Sequence, residues 1–176
     1  LGATFGDSAG FLGATFGDSA GFLGATFGDS AGFLGATFGD GAIFAGATFG
    51  DGAIFDGATF GDGARFDGAG FGDEARFDRA TFGDGVTFRT AGFAGQTDFG
   101  AAIFEGEASF DGVTVRDGGS MEFDMPSPDL PFFSPRPFKM RQEGETAYRL
   151  AKQAALKVGN YEAGGNYHYA EQCAIE

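Results

Sequence analysis

Eight aspartates recur every eleven residues: Asp7, Asp18, Asp29, Asp40, Asp51, Asp62, Asp73 and Asp84. Carboxylates at fixed spacing can hold hard cations, as calcium sites do. They can also accept hydrogen bonds from backbone N–H groups where the chain turns, or attract a basic partner. Other reactive residue types are sparse. His168 is the single histidine and Cys173 the single cysteine, which excludes an intrachain disulfide and any Cys-based metal cluster. His168, between Tyr167 and Tyr169, reads as a helix-surface or packing residue rather than a general base. Cys173, beside Ala174 and Ile175, reads as a small buried apolar group. The glycines form no GxxxxGK[ST] phosphate loop; they serve corners. The expectation is a protein with no catalytic residues, no metal and no cofactor.

The carboxylates must be positioned by a ladder of aromatic residues. Phe5, Phe11, Phe16, Phe22, Phe27, Phe33, Phe38, Phe44, Phe49, Phe55, Phe60 and Phe66 begin a series that runs to Phe110, with Val115 in the last place. The steps alternate six and five, and LGATFGDSAGF is copied unchanged three times from Leu1 to Phe33. Two positions before nearly every Phe stands a small residue, such as Ala3, Ala9 and Ala14, and later Val86, Thr97 and Val113. A fixed short period reads as a solenoid, whose units bury their apolar faces only by stacking. Ala3 and Phe5 then face inward while Thr4, between them, faces water. Gly-Asp makes the corner, as in Gly6-Asp7-Ser8. The extra residue of each six-step (Ser8, Ser19, Ser30, Gly41 and their successors) reads as a bulge there. Each segment has about three extended residues, too few for a hairpin, so stacked coils must supply the hydrogen bonds.

ATFGD, AIFAG, ARFDG and ASFDG resemble the units of the pentapeptide-repeat family: a small residue, a polar one, a central Phe or Leu, then two polar or small ones. The resemblance covers Leu1 to Val115 and is to an alternating 5/6 variant with Phe almost throughout. It implies a right-handed four-sided β-helix with one unit per face. A coil then holds 22 residues, and the repeats make about five coils, a rod roughly 25 Å long. A flatter coil of 11 residues with two Phe would give about ten coils and twice that length. With 22-residue coils the aspartates form two columns, Asp7-Asp29-Asp51-Asp73 and Asp18-Asp40-Asp62-Asp84. The GDG turns resemble those of calcium-binding nonapeptide β-rolls, but the period is eleven and the GGxGxDxU pattern is missing. Stacked like charges predict stability that rises with salt. Thr4-Thr26-Thr48 and Thr15-Thr37-Thr59-Thr81 form outward columns of the kind that order water on ice-binding solenoids. Each strand, however, offers one Thr rather than a pair.

The chain has 176 residues and a net charge of −14. Residues 1–123 hold 18 acids and five bases, 124–176 seven acids and six bases, and no base precedes Arg65. Such a surface repels nucleic acid and anionic membrane and attracts basic partners. No signal peptide or membrane-length apolar run is present, so a cytoplasmic location is expected. The chain begins at Leu1 in mid-repeat, which reads as a processed or truncated piece of something longer.

Three segments are expected: a β-helix over 1–123, a Pro-rich cap over 124–141 and a helical hairpin over 142–176. All five prolines lie between Pro126 and Pro137, where they stop the ladder and bring Phe132, Phe133 and Phe138 over the last coil. Ala147, Leu150, Ala151, Ala154 and Val158 then fall at helical spacing, with Gly159 as the stop. GNYEAGGNYHYAE resembles half of a tetratricopeptide unit, and also hairpins that follow pentapeptide repeats in membrane-linked prokaryotic proteins. The expected function is a non-enzymatic acidic rod acting as scaffold or protein-interaction module. Its partner is a basic protein or a second copy, met through the N-terminal coil or the hairpin. Two alternatives follow from the resemblances: a DNA mimic that inhibits or protects DNA gyrase, and an accessory domain of a membrane protein at the membrane face.

Overall fold

The computed structural model of the chain describes residues 2–116 and 119–122. The expected cap over 124–141 and hairpin over 142–176, with His168 and Cys173, lie outside the described residues.

Until the last coil, each strand pairs in parallel with the strand 22 residues further on. Thr4 lies opposite Thr26 and Phe5 opposite Phe27; Thr15 lies opposite Thr37 and Phe16 opposite Phe38. The coil therefore contains 22 residues and four ladder positions, and the eleven-residue coil is not formed. Two faces are regular sheets. One has six strands, from Thr4–Phe5 to Thr114–Val115, and the opposite one five, from Thr15–Phe16 to Ile103–Phe104. The other two faces begin as single bridges, Gly10 to Gly32 to Ile54 to Arg76 and Gly21 to Ile43 to Arg65 to Thr87. They widen into strands only near the C-terminal end, at Ala75–Arg76, Val86–Thr87, Gln96–Asp98 and Ala108–Ser109.

Most of these strands are two residues long, so none could persist alone. They persist because each coil hydrogen-bonds to the next: Thr26 N–H donates to Ala3 O at 2.8 Å, Gly28 N–H to Phe5 O at 3.0 Å and Ser8 N–H to Asp29 O at 2.7 Å. Ser8, Ser19 and Ser30 occupy the left-handed region at φ 57–58°. Side chains visit that region at a cost, and Gly41, Gly52 and Gly63 take the same place in later coils.

Inside, every Phe stacks on the Phe one coil away. Phe33 and Phe55 are parallel with centroids 4.8 Å apart. Around one coil the contacts alternate between edge-on, as for Phe49 and Phe55 at 5.3 Å and 81°, and tilted, as for Phe55 and Phe60 at 6.1 Å and 46°. Both are favourable aromatic arrangements. Four rings leave little room between them, and Ala31, Ala36, Ala42 and Ala47 are fully buried there, with Val86 in the same place further on. Phe5, Phe11, Phe16 and Phe22 of the first coil are half-buried, since rings stack on them from one side only.

The last coil slips. Met121 follows Phe99 by 22 residues, yet it lies opposite Thr97, two places earlier in the ladder. It is buried there, at the position held by Thr97 one coil before and by Ala75 two coils before. The physical reason is in the sequence: Gly119-Ser120-Met121 offers no ring for the Phe place, and a shift of two brings Met121 to an inward position that takes smaller side chains in the coils before it.

Candidate functional site

Two diagonally opposite edges of the rod carry the aspartates singled out in the sequence. The backbone leaves each Phe of a sheet face, turns at Gly-Asp and enters the next face. This corner directs the Asp side chain along the rod axis. Asp29 N–H donates to Asp7 Oδ1 (3.1 Å), Asp51 N–H to Asp29 Oδ1 (3.0 Å) and Asp73 N–H to Asp51 Oδ1 (2.8 Å). On the other edge Asp40, Asp62 and Asp84 donate in the same way to Asp18, Asp40 and Asp62. Each carboxylate thus commits one oxygen to the next coil's backbone while its side chain stays at the exposed edge, and neighbours stand one coil height apart.

The glycine before each Asp is fixed by this arrangement. A Cβ added at Gly50 would stand 2.8 Å from both the backbone N of Asp29 and the carbonyl carbon of Gly28, and would collide with Asp29 Oδ1. At Gly6, with no coil beneath it, a Cβ would meet nothing within 4 Å. Where Gly95 and Gly106 replace Asp, the columns close. Asp73 Oδ1 accepts from both Glu74 N–H and Gln96 N–H, and Asp84 Oδ1 accepts from Glu107 N–H.

The other two edges were not foreseen as sites. One carries Leu12, Leu34, Asp56 and Asp78 in succession; the other carries Leu23, Ala45, Asp67, Arg89 and Asp111. The signal was available: these are the residues after every second Phe, visible once the sequence is written in rows of 22. Asp78 N–H donates to Asp56 Oδ1 (3.2 Å), and Arg89 N–H to Asp67 Oδ1 (3.2 Å). Here the bases arrive. Arg76 pairs with Asp56 (2.5 Å), Arg79 with Asp78 (3.0 Å) and Arg65 with Asp67 (3.3 Å). Arg89 reaches Ser109 Oγ (3.3 Å), which donates to Asp111 Oδ2 (2.8 Å). Burial pushes the Asp56 carboxyl above its ordinary range. The Arg76 guanidinium and the Asp78 N–H pull it down, while the Asp78 and Asp98 carboxylates push it up. The exposed pairs among these contribute little stability each; they offset charge on the C-terminal half and leave the N-terminal half uncompensated.

Among the described residues no three His, Cys, Asp or Glu side chains are grouped to hold a metal ion. A shallow hollow of about 200 Å³ lies between Val86–Thr87 and Ala108–Ser109; its charged lining residues, Arg89 and Glu107, come with no histidine or cysteine. The outward Thr4, Thr26 and Thr48 are exposed, but Gly70 and Gly92 continue their column. No helix among the described residues is long and apolar enough to cross a membrane.

Among curated proteins and among solved structures nothing matches this chain. A family model of pentapeptide repeats, nine copies long, matches residues 1–48 and again 44–92. With four units to each coil, a Phe at every centre and coils stacked in register, the chain belongs to the pentapeptide-repeat family.

Proposed function

We propose that the protein is a non-enzymatic acidic rod that serves as a scaffold or interaction module for a basic protein partner. The observation that carries this reading is the pair of aspartate columns. Their hydrogen bonds fix carboxylates at coil spacing along two edges, so a rigid row of negative charge exists before any partner arrives. Preorganised charge favours association rate and specificity. The test is titration calorimetry of the chain against a lysine-rich peptide, beside the variant Asp29→Asn, Asp40→Asn, Asp51→Asn, Asp62→Asn. Asn keeps the Oδ1 acceptor and removes the charge. At least tenfold weaker binding is expected, with the parent's affinity falling as salt is raised; equal affinity would sink the proposal.

DNA mimicry draws on the same columns. With coils 4.8 Å apart, two edges present one charge per about 2.4 Å, against about 1.7 Å in duplex DNA. Loss of gyrase supercoiling at micromolar protein would support that reading, and unchanged supercoiling would remove it. A second copy stacked on the half-buried rings of the first coil would appear in light scattering as mass that grows with concentration.

A further inference from the structure

The N-terminal half of the rod carries an apolar face bordered by two exposed leucines. Its outward positions are Gly10, exposed, Gly32, buried, and Ile54, half-buried, and neither glycine has a side chain of its own to shield the backbone. Leu12 bends from its edge across this face: a Cβ added at Gly32 would lie 3.3 Å from a Leu12 methyl group, and one at Gly10 3.9 Å. Leu12 is nevertheless 66% exposed, and Leu34, one coil on, 47%. Along the opposite border of the same face runs the Asp7-Asp29-Asp51 column. An occupant must therefore bring apolar side chains to the middle and positive charge to the border. The corresponding face on the other side of the rod, at Gly21 and Ile43, has one described exposed leucine, Leu23, where this one has two.

The sequence contains one segment of that chemistry. Residues 1–64 hold seven acids and no base, whereas residues 136–157 hold six bases and two acids. Phe138-Lys139-Met140-Arg141 alternates apolar and basic residues, and Tyr148, Leu150 and Leu156 accompany Arg149, Lys152 and Lys157. The reach is sufficient. Five coil heights separate Glu122 from the level of Leu12, about 24 Å. The fourteen residues from Glu122 to Arg136 can span about 46 Å. We infer that the chain's own basic segment 136–157 docks in cis on the N-terminal face formed by Gly10, Leu12, Gly32, Leu34 and Ile54, with its charges against the Asp7-Asp29-Asp51 edge. A basic external partner would then have to displace it. The inference requires no such partner, so the peptide titration above can fail while this holds, and the reverse.

All three lysines of the chain, Lys139, Lys152 and Lys157, lie in that segment, so every carbodiimide bridge from a lysine to a carboxylate originates there. The experiment is zero-length cross-linking of the full chain at low salt, isolation of the monomer band and peptide mass spectrometry. Bridges from these lysines to Asp7, Asp29 or Asp51 are expected. They should fall at least fivefold in the variant Leu12→Ser, Leu34→Ser, whose exposed side chains can be changed without altering the circular dichroism of the rod. The inference is overturned if bridges occur only in a dimer band, which would make a second copy the occupant. It is equally overturned if they reach only Asp98, Glu105, Glu107 or Asp111 of the last coils, fall as often on Asp18, Asp40 and Asp62, or persist in the double Ser variant.

Discussion

The substitution Gly50→Ala tests the interlocked edge directly, because the same repeat position has different surroundings in different coils. Ordinary van der Waals contact begins near 3.4 Å, and the added methyl would lie 2.8 Å from two backbone atoms of the coil beneath. Neither the Asp29 N nor the Gly28 carbonyl carbon can rotate away, so the two coils must part at this corner by roughly half an ångström. Overpacking of this kind costs about 1–3 kcal/mol. Parting the coils also weakens the hydrogen bond from Asp51 N–H to Asp29 Oδ1, worth about 1 kcal/mol at an exposed site. The expected loss is therefore about 3 kcal/mol. At Gly6→Ala, where the methyl meets nothing, the change should stay within about 0.5 kcal/mol. Urea unfolding followed by circular dichroism measures both. A cost below about 1 kcal/mol at Gly50, or equal costs at the two positions, would refute the account of why Gly precedes Asp.

Four more outcomes follow from the core and the charges. Phe55→Ala removes a ring stacked at 4.8 Å on both sides and should cost about 3–5 kcal/mol in denaturant unfolding. Phe11→Ala, stacked on Phe33 alone, should cost about half as much; equal losses would contradict a coil-by-coil core. Thr97 is buried with its hydroxyl unpartnered, so Thr97→Val should raise stability by about 1 kcal/mol, and a loss of that size would show an unseen hydrogen bond. Because burial raises the folded pKa of Asp56 above 3.8, its stabilising contribution is present below that pH and is lost as pH rises through the folded value. The stability of the parent relative to Asp56→Asn should accordingly fall as pH rises from below 3.8 through the raised folded value; a constant or rising difference would contradict the burial effect. Stacked carboxylates at coil spacing repel by about 0.9 kcal/mol per pair in bulk water, so the melting temperature should climb between dilute and molar sodium chloride, and a flat curve would argue against stacking.

The ladder was legible because Phe is large and its neighbours are small: no other arrangement buries a ring every five or six residues with Ala two places before it. Coil size was not legible from that pattern, since 11- and 22-residue turns bring the same residue types into register; the pairing of Thr4 with Thr26 rather than Thr15 decides it. The Asp positions could be read from the sequence, but the lock between Asp29 and Gly50 could not, because it joins residues of different coils. The place of Leu12 could not be read from the sequence, because its position over Gly32 depends on a missing side chain one coil away. The slip at Met121 was hidden by spacing that stays in phase while the residue types do not.

The equal stacking of each ring from Phe5 to Phe88 on the ring 22 places onward has a consequence for how such a molecule can change length. The two halves of a coil are near copies, so gain or loss of one eleven-residue unit would leave every aromatic contact of the same kind and shift all later residues half a turn about the axis. Identical tandem copies such as those between Leu1 and Phe33 are the kind of template on which replication slips. A lineage carrying this gene can therefore lengthen the rod, or swing its arginine-bearing end to the opposite side, in a single genetic event that leaves the interior intact.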